Sequence, residues 1–295
     1  MDLDNFIINA FCVIDDTMKK MFKEHKLRQR GPAPLLSDSE VMTVEVVGEY
    51  LGISQDKDLF RYFRSHYAHF FPALKRIHRT TFTRQAANLW QVKQRVWQFV
   101  IRELTSNPTF AIVDSLPIPV CQFARAYRCR LFKGEAAFGK DMLVRQTFYG
   151  FRLHVRLSWP GIITRFSLAP GNVHELKVLP GLVEGTQGLV IGDRNFWSPA
   201  LKVELAHEGI ELLAPFRKAS HDPYPQRSAR LSRIRYRIDT VFSQLTERYR
   251  IKKVWAKDSW HLASRLLRKI LSHTLAVMLN QFQGNSPLHL VDLVS

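Results

Sequence analysis

Residues 109–114 read TFAIVD, a short apolar run that ends at Asp114. Four consecutive apolar side chains are typical of a strand that is buried on both faces of a sheet. The segment LVIGD at residues 189–193 has the same character and ends at Asp193. These two runs predict buried strands in an α/β fold, in which a mixed sheet is flanked by helices.

Strand and helix patterns extend outward from these two runs. Residues 151–157, FRLHVRL, alternate between apolar and polar side chains, as expected of a strand with one buried face. A turn at 159–161 joins this strand to a predicted partner at 162–168. Glycine and proline interrupt residues 115–142, which predict an irregular basic insertion. The remaining predicted elements are a strand at 210–213 and helices at about 175–183, 198–208, 231–250 and 260–282.

The first 105 residues contain helical patterns only. Ser37 and Glu40 match a capping box, in which each side chain bonds the backbone N–H of the other residue. Apolar side chains recur at helical spacing on both sides of this box. The predicted helices cover about 4–27, 38–51, 57–70 and 80–104.

The pattern changes at Asn107-Pro108, where helical spacing gives way to the first buried run. A chain of 295 residues is long enough for two ordinary domains. We therefore expect an all-α N-terminal domain at 1–105, an α/β domain at 106–282 that contains the insertion, and a C-terminal tail at 283–295.

The composition is that of a globular protein with a strong excess of positive charge. Apolar residues make up 46% of the chain and charged residues 23%, while the formal net charge is +17. The excess is concentrated at 60–102, with nine basic and no acidic residues, and at 214–257, with twelve basic and three acidic residues. Aromatic side chains are interleaved with both blocks, which favours binding to a nucleic-acid backbone.

Several other classes of protein are excluded by simple patterns. No run of about 18 apolar residues is present, so no membrane span is expected. The first residues are acidic, unlike a secretory signal or a transit peptide. Cys12, Cys121 and Cys129 are too few for a disulfide framework and lack zinc-ligand spacing, so we expect reduced thiols and a cytoplasmic location.

Three aspartates are candidates for chemistry. Asp114 and Asp193 follow buried strands, where α/β folds place their sites, and Asp239 flanks the apolar stripe of the helix at 231–250. Three converging carboxylates repel one another and require cations. Hard divalent ions fit this requirement, so we expect Mg²⁺, with Mn²⁺ as a substitute. Each aspartate also has a structural alternative: a turn or helix cap for the first two, and an ion pair with Arg235 for the third.

Six segments of the chain carry a family resemblance, and they read LSDSEVMTVEVVGEYLG at 36–52, AIVDSLPIPVCQFARAYRCRLFKGEAAFGKD at 111–141, FYGFRLHV at 148–155, IGDRNF at 191–196, APFRK at 214–218 and RIDTVFSQLTERY at 237–249. With these segments the sequence resembles the DDE transposases of bacterial insertion sequences, and within them the insertion-sequence family numbered 982. The resemblance extends to about Gln281. It implies a ribonuclease-H-like catalytic domain and cut-and-paste or copy-type movement of a DNA element.

The resemblance assigns roles to the three aspartates. In such enzymes the first acid lies on the first strand, which matches Asp114, and the second follows the fourth strand, which matches Asp193. The third acid lies on a late helix and is normally Glu in the motif IETVFS, whereas this chain has Asp239 in IDTVFS. The shorter side chain sets the carboxylate back by roughly 1.5 Å, and such sites require ligands placed to about 0.5 Å.

The resemblance also implies a two-step reaction. Two Mg²⁺ ions bound by the three aspartates would support hydrolysis at the transposon end, followed by attack of the freed 3′-hydroxyl on target DNA. We expect double-stranded DNA as the partner (terminal repeats and target), a homodimer that joins two ends, and a location at the bacterial nucleoid. Glu247 is an alternative third ligand, and His154 and His174 are candidate accessory groups. The residues expected to bind DNA are Arg61, Arg64, Lys75, Arg76, Arg79, Arg84, Arg125, Arg128, Arg130, Lys133, Arg194 and Arg235.

Two other interpretations remain open. The protein could bind transposon ends without cutting them, as a decayed or domesticated transposase that acts as a repressor, and the Asp at position 239 favours that view. It could also be a ribonuclease-H-like nuclease that cleaves strands without joining them. Metal dependence separates the first interpretation from a transposase, and joined products separate the second.

Overall fold

Two compact units make up the computed structural model, which describes residues 1–25, 27–142, 144–291 and 293–294. The first, here called the helical unit, combines Met1–Leu104 with Leu245–Ser295. The second, here called the sheet unit, is Thr105–Gln244.

Within the described residues, the chain forms nine α-helices and six strands. The helices are α1 (Leu3–Met21), α2 (Asp38–Tyr50), α3 (Asp56–His66), α4 (Arg79–Asn88), α5 (Trp90–Glu103), α6 (Glu175–Val183), α7 (Pro199–His207), α8 (Pro225–Glu247) and α9 (Ser259–Phe282). The strands are β1 (Asn107–Pro119), β2 (Ala137–Asp141), β3 (Gln146–Trp159), β4 (Ile162–Pro170), β5 (Gly188–Ile191) and β6 (Ile210–Leu213). None of these helices is both long and apolar enough to cross a membrane.

The helical unit is built around α9, which packs against α2 and α5. Its side chains are buried continuously from 266 to 280. The sequence patterns place this helix in the α/β domain at 106–282, but its buried surface faces the N-terminal helices. The sequence-based division stays a prediction, as does the tail at 283–295, of which residues 292 and 295 lie outside the described residues.

The N-terminal helices follow their sequence signals, with three differences, the first of which is that the helix predicted at 57–70 ends at His66. The capping box of α2 is confirmed, since Ser37 Oγ accepts the Glu40 N–H at 3.1 Å and Glu40 Oε2 accepts the Ser37 N–H at 2.6 Å. The helix predicted at 80–104 is two helices, α4 and α5, which meet at Leu89. The first helix ends at Met21, with Phe22 as its C-cap, and exposed polar and charged residues follow at 23–25; residue 26 of the predicted helix lies outside the described residues.

Opposite charges are matched inside the helical unit. Glu49 on α2 is buried and accepts two hydrogen bonds, from Arg268 Nε at 2.5 Å and from Lys269 Nζ at 2.5 Å. Both basic side chains on α9 are buried as well. A buried charge is tolerated only when it is paired, so the packing of α2 on α9 depends on this carboxylate.

We predict that Glu49→Gln lowers the free energy of unfolding by about 3–5 kcal/mol, because it leaves the buried Lys269 without its carboxylate partner, whereas Arg268 keeps Asp56. Asp58→Asn is the matched control, since Asp58 pairs with Arg61 at the surface and its loss costs less than about 1 kcal/mol. Urea denaturation followed by circular dichroism measures both values. If both variants lose the same small amount of unfolding free energy, the buried Glu49 pairs do not stabilise the packing of α2 on α9.

The sheet unit is a mixed sheet with the strand order β2-β3-β1-β5-β6. β1 pairs antiparallel with β3 and parallel with β5, and β5 pairs parallel with β6. The other edge of β3 pairs with β2 over 146–150 and with β4 over 151–158. Leu179, Leu182 and Leu205 of α6 and α7 belong to one core cluster with residues of β1 and β5. The predicted α/β class, with a mixed sheet flanked by helices, is confirmed.

β1 is longer than the sequence predicts. The buried run ends at Asp114, but the strand continues to Pro119 and stays paired with β3. Its parallel pairing with β5 stops at Ile112, so one edge of the strand is not paired with β5 beyond that residue. Pro117 and Pro119 are tolerated there because an edge position needs no backbone donor. The predicted irregular insertion at 115–142 therefore contains the end of β1 and all of β2.

α8 begins at Pro225 rather than near 231. Proline marks a loop in the sequence, but it is also favoured in the first turn of a helix, where its missing N–H has no partner. The earlier start places Arg235 and Asp239 well inside a regular helix, so that their relative position is fixed by the helical backbone.

Candidate active site

Two aspartates emerge side by side from the sheet. In the parallel pair of β1 and β5, Ile112 lies opposite Ile191. Asp114 and Asp193 each follow two residues later. Side chains two residues apart project from the same face of a strand, so the two carboxylates leave the sheet at one edge and on one side.

The third aspartate, Asp239, shares one arginine partner with Asp114 and Asp193. Arg235 Nη1 lies 3.7 Å from Asp114 Oδ2 and 3.8 Å from Asp193 Oδ2, and Nη2 lies 3.6 Å from Asp239 Oδ1. The predicted convergence of the three carboxylates is therefore seen around one guanidinium group. Glu247, the alternative third acid, belongs to the helical unit.

Burial makes the charged forms of two carboxylates unfavourable. Asp114 is largely buried, which raises its pKa to about 7; the Arg235 charge opposes this shift, and the Asp193 charge adds to it. Burial also raises the pKa of Asp193, and nearby Glu175 adds to that shift. Asp239 is nearly half-exposed. The site therefore contains more buried negative charge than one guanidinium compensates.

Glu175 is a fourth acidic residue of the site, and the sequence patterns miss it. Its Oε1 atom accepts a hydrogen bond from Ser115 Oγ at 2.5 Å and lies 3.8 Å from Arg152 Nη1. Glu175 is the first residue of α6, and an acidic side chain in a first turn is ordinarily explained by the helix dipole. Only the packing of α6 against the sheet reveals that it faces Asp114 and Asp193.

A cavity of about 680 Å³ opens over these groups, within the sheet unit. Phe138, Lys140 and His174 line it together with the three aspartates. Nδ1 of His174 accepts the Leu176 N–H at 3.2 Å. The other candidate accessory group, His154, is buried in β3, and burial lowers its pKa to about 4. It is therefore a neutral core residue rather than part of the cavity wall.

The three aspartates carry ligand atoms of the kind that divalent cations prefer, but their carboxylates are not arranged as a metal-binding group. The three carboxylates are hard oxygen ligands, and burial of two of them requires a compensating charge. Among the described residues, no three Asp, Glu, His or Cys side chains are grouped so as to hold a metal ion. The Arg235 guanidinium lies between the carboxylates, at the position where their negative charges require a positive one.

Of the twelve basic residues predicted to bind DNA, eleven are exposed and one, Arg235, is partly buried. Arg194 is exposed next to Asp193, whereas Arg235, predicted to lie beside the third acid, is partly buried and paired with carboxylates. Lys93, which contributes to the basic block at 60–102, is buried inside the helical unit. The remaining predicted residues are all exposed, namely Arg61, Arg64, Lys75, Arg76, Arg79 and Arg84 of the helical unit and Arg125, Arg128, Arg130 and Lys133 of the sheet unit.

Comparison with known proteins identifies one sequence family and one similar fold. Residues 105–257 match the family described as "Transposase DDE domain", which covers just over half of the chain. The fold is similar to that of piggyBac transposase in a cryo-EM structure of its synaptic complex with hairpin DNA, with a TM-score of 0.50. The identity is 12%, and the alignment covers 99% of this chain and 79% of that chain, so the similarity concerns the fold alone. No curated protein sequence matches the chain.

We predict that Asp114→Asn stabilises the protein in chelator-containing buffer. Its folded pKa of about 7 exceeds the ordinary value of 3.8. The stabilising contribution of the protonated carboxyl is thus complete below about pH 4 and is lost as the pH rises to about 7. The variant should gain about 1–3 kcal/mol over the native chain at pH 8 and less at pH 5. Thermal unfolding at both pH values measures this difference.

Asp16→Asn is the control for that experiment, because Asp16 is exposed on α1. It should leave the stability unchanged at both pH values. A gain from Asp114→Asn that is the same at pH 5 and pH 8 would show that burial of the charged form is not its cause.

Proposed function

The chain belongs to the transposase DDE-domain family, and on that premise we propose that it cleaves the ends of a DNA element and joins the freed 3′-hydroxyl to target DNA. The observation that carries this proposal is the approach of Asp114, Asp193 and Asp239 to one guanidinium group in a single cavity. We further propose a ribonuclease-H-like catalytic domain and membership of the insertion-sequence family numbered 982, on the motif resemblance.

In this proposal the three aspartates hold two Mg²⁺ ions, for which Mn²⁺ can substitute. Bound ions supply activation of the attacking oxygen and stabilisation of the leaving oxygen. Burial raises the pKa of Asp114 to about 7, and a divalent cation bound there would lower that pKa and keep the carboxylate ionised. Arg235 would then exchange its carboxylate partners for phosphate oxygens.

Other side chains of the cavity are placed to orient the phosphodiester. Lys140 lines the cavity and Arg194 is exposed beside Asp193, so both can offset phosphoryl charge. Since Nδ1 of His174 accepts a backbone N–H, the neutral ring carries its proton on Nε2. That N–H can donate to a phosphate oxygen. Glu175 holds Ser115 and Arg152 in position through its carboxylate.

Double-stranded DNA is the proposed partner, as terminal repeats and as target. The exposed arginines and lysines of both units support this assignment, because phosphate contacts dominate DNA affinity. The similar piggyBac transposase structure is a synaptic complex with hairpin DNA. Joining two ends in one complex requires two copies of the chain, so we propose a homodimer, located with the bacterial nucleoid in the cytoplasm.

A protein that binds transposon ends without cutting them is the second candidate. Asp239 favours it, because this side chain is shorter than the usual Glu, is nearly half-exposed and contacts Arg235. A carboxylate set back by roughly 1.5 Å can leave the cation site incomplete while DNA binding persists.

We predict that the native chain cleaves and joins labelled DNA from the flanks of its own gene in Mg²⁺ and in Mn²⁺. Asp114→Asn and Asp193→Asn should each lower the rate by at least about a hundredfold, because each removes a ligand. Asp239→Glu should retain activity. Gel analysis separates cleaved from joined products, and cleavage without joining would indicate a nuclease instead.

The same experiment separates the two candidates. Activity confined to Asp239→Glu would mean that the native site is weakened by its short third acid. If every variant binds the end DNA and none cuts it, the enzymatic proposal fails and the DNA-binding protein takes its place.

We predict that Arg84→Gln weakens binding to duplex DNA of any sequence. Removal of one phosphate contact should reduce the slope of log affinity against log salt concentration by about 1. Lys202→Gln, on exposed α7 outside both basic blocks, should not change the slope. Fluorescence anisotropy at several salt concentrations measures it, and identical slopes for the two variants would exclude Arg84 from the interface.

A further inference from the structure

Three aromatic side chains form an exposed row beside the candidate site. They are Phe123 and Tyr127, on the 3-10 helix Phe123–Arg128, and Phe138 on β2. Tyr127 is 81% exposed, and the other two rings are also exposed. Large aromatic side chains are normally buried, so a contiguous exposed group of them indicates a binding surface.

The rings of this aromatic row are held in contact with one another. The centroids of Tyr127 and Phe138 are 5.2 Å apart with a tilt of 32°, and those of Phe123 and Tyr127 are 6.2 Å apart. Phe138 also packs on Tyr149, at 5.2 Å. Tyr149 is buried and donates its hydroxyl to the carbonyl groups of Leu131 and Phe132, each at 3.3 Å. Phe138, and with it the aromatic row, therefore packs against a buried side chain that hydrogen bonds hold in position.

The aromatic row is continuous with the cavity of the aspartates. Phe138 lines that cavity, as does Lys140 two residues along β2. Residues two apart project from the same face of a strand, and both side chains are exposed while Gly139 between them is buried. A ligand that reaches Asp114 can thus extend onto the row.

Positive charge surrounds the rings. Arg125 and Arg128 are exposed on the same 3-10 helix as Tyr127. Arg130 and Lys133 follow in exposed positions, and Glu135 is the exposed acid of this stretch. A hydrophobic protein partner would bury these cations at a cost. A nucleic-acid strand satisfies both features, since its bases stack on aromatic rings and its phosphates pair with cations.

We propose that the aromatic row is a stacking site for an unpaired nucleobase of the DNA strand whose phosphodiester lies among the aspartates. Bases inside a duplex are already stacked on one another, so the site selects a nucleotide that is unpaired at or near the cleavage point. This inference rests on the proposed function, because it needs a DNA strand in the cavity. Each stacked base contributes a substantial, sequence-tolerant share of the affinity.

The test compares two DNA molecules bound by the full chain in Ca²⁺ buffer. One is a short blunt duplex, and the other is the same duplex with a few unpaired nucleotides at one 3′ end, one of them 2-aminopurine. The native chain should prefer the extended DNA and quench the 2-aminopurine fluorescence. Tyr127→Ala and Phe138→Ala should reduce affinity for the extended DNA by about tenfold and leave affinity for the blunt duplex unchanged.

Two variants serve as controls. Tyr127→Phe keeps the ring and should behave as the native chain. Phe282→Ala removes another exposed aromatic ring, 64% exposed, which lies outside both basic blocks, and should also behave as the native chain. Because Tyr127 is at the surface, its truncation should not unfold the protein, and circular dichroism verifies this.

Four results would overturn the proposal. They are equal losses on both DNA molecules, no preference in the native chain, quenching that persists in Tyr127→Ala, or a change in self-association by that variant in place of a change in DNA binding. Binding of blunt duplex together with aspartate-dependent cleavage would leave the proposed function intact in each case. If the native chain binds neither DNA, the proposed function fails as well.

Discussion

Parallel pairing of β1 with β5 is the constraint on which the candidate site depends. Parallel neighbours cannot be joined by a tight turn, and β2, β3, β4 and α6 lie between β1 and β5 in sequence. The register of the pair then brings Asp114 and Asp193 together. Two buried carboxylates side by side repel each other. They therefore need a nearby positive charge, which the rest of the site supplies.

α8 supplies both a cation and a third acid. Arg235 and Asp239 are four residues apart, so they lie on one face of this helix. The arginine pairs with all three aspartates and offsets part of their charge. The same three carboxylates are hard oxygen ligands at a position that requires positive charge. The buried charge that lowers the stability of the sheet unit is thus the charge that the proposed chemistry uses. The basic and aromatic insertion borders this cavity on β2.

Much of the sheet unit is predictable from sequence, because its buried strands and amphipathic helices have clear periods; the bounds predicted for α6 and β6 match the structure. The predicted end of β1 was wrong, since Pro117 and Pro119 indicate a loop unless one edge of the strand is known to be unpaired there. Glu175 could not be identified, because a helix-start acid has an ordinary explanation. The contacts of Arg235 with Asp114 and Asp193 depend on tertiary packing, which no spacing rule encodes.

The proposed function requires that the three aspartates bind divalent cations when DNA is present. Electron paramagnetic resonance during Mn²⁺ titration measures bound ions directly, with a short DNA duplex added to the native chain and to Asp114→Asn. We expect saturable Mn²⁺ binding by the native chain and the loss of at least one bound ion in the variant. Equal Mn²⁺ binding by both proteins, or none by the native chain, would contradict this requirement.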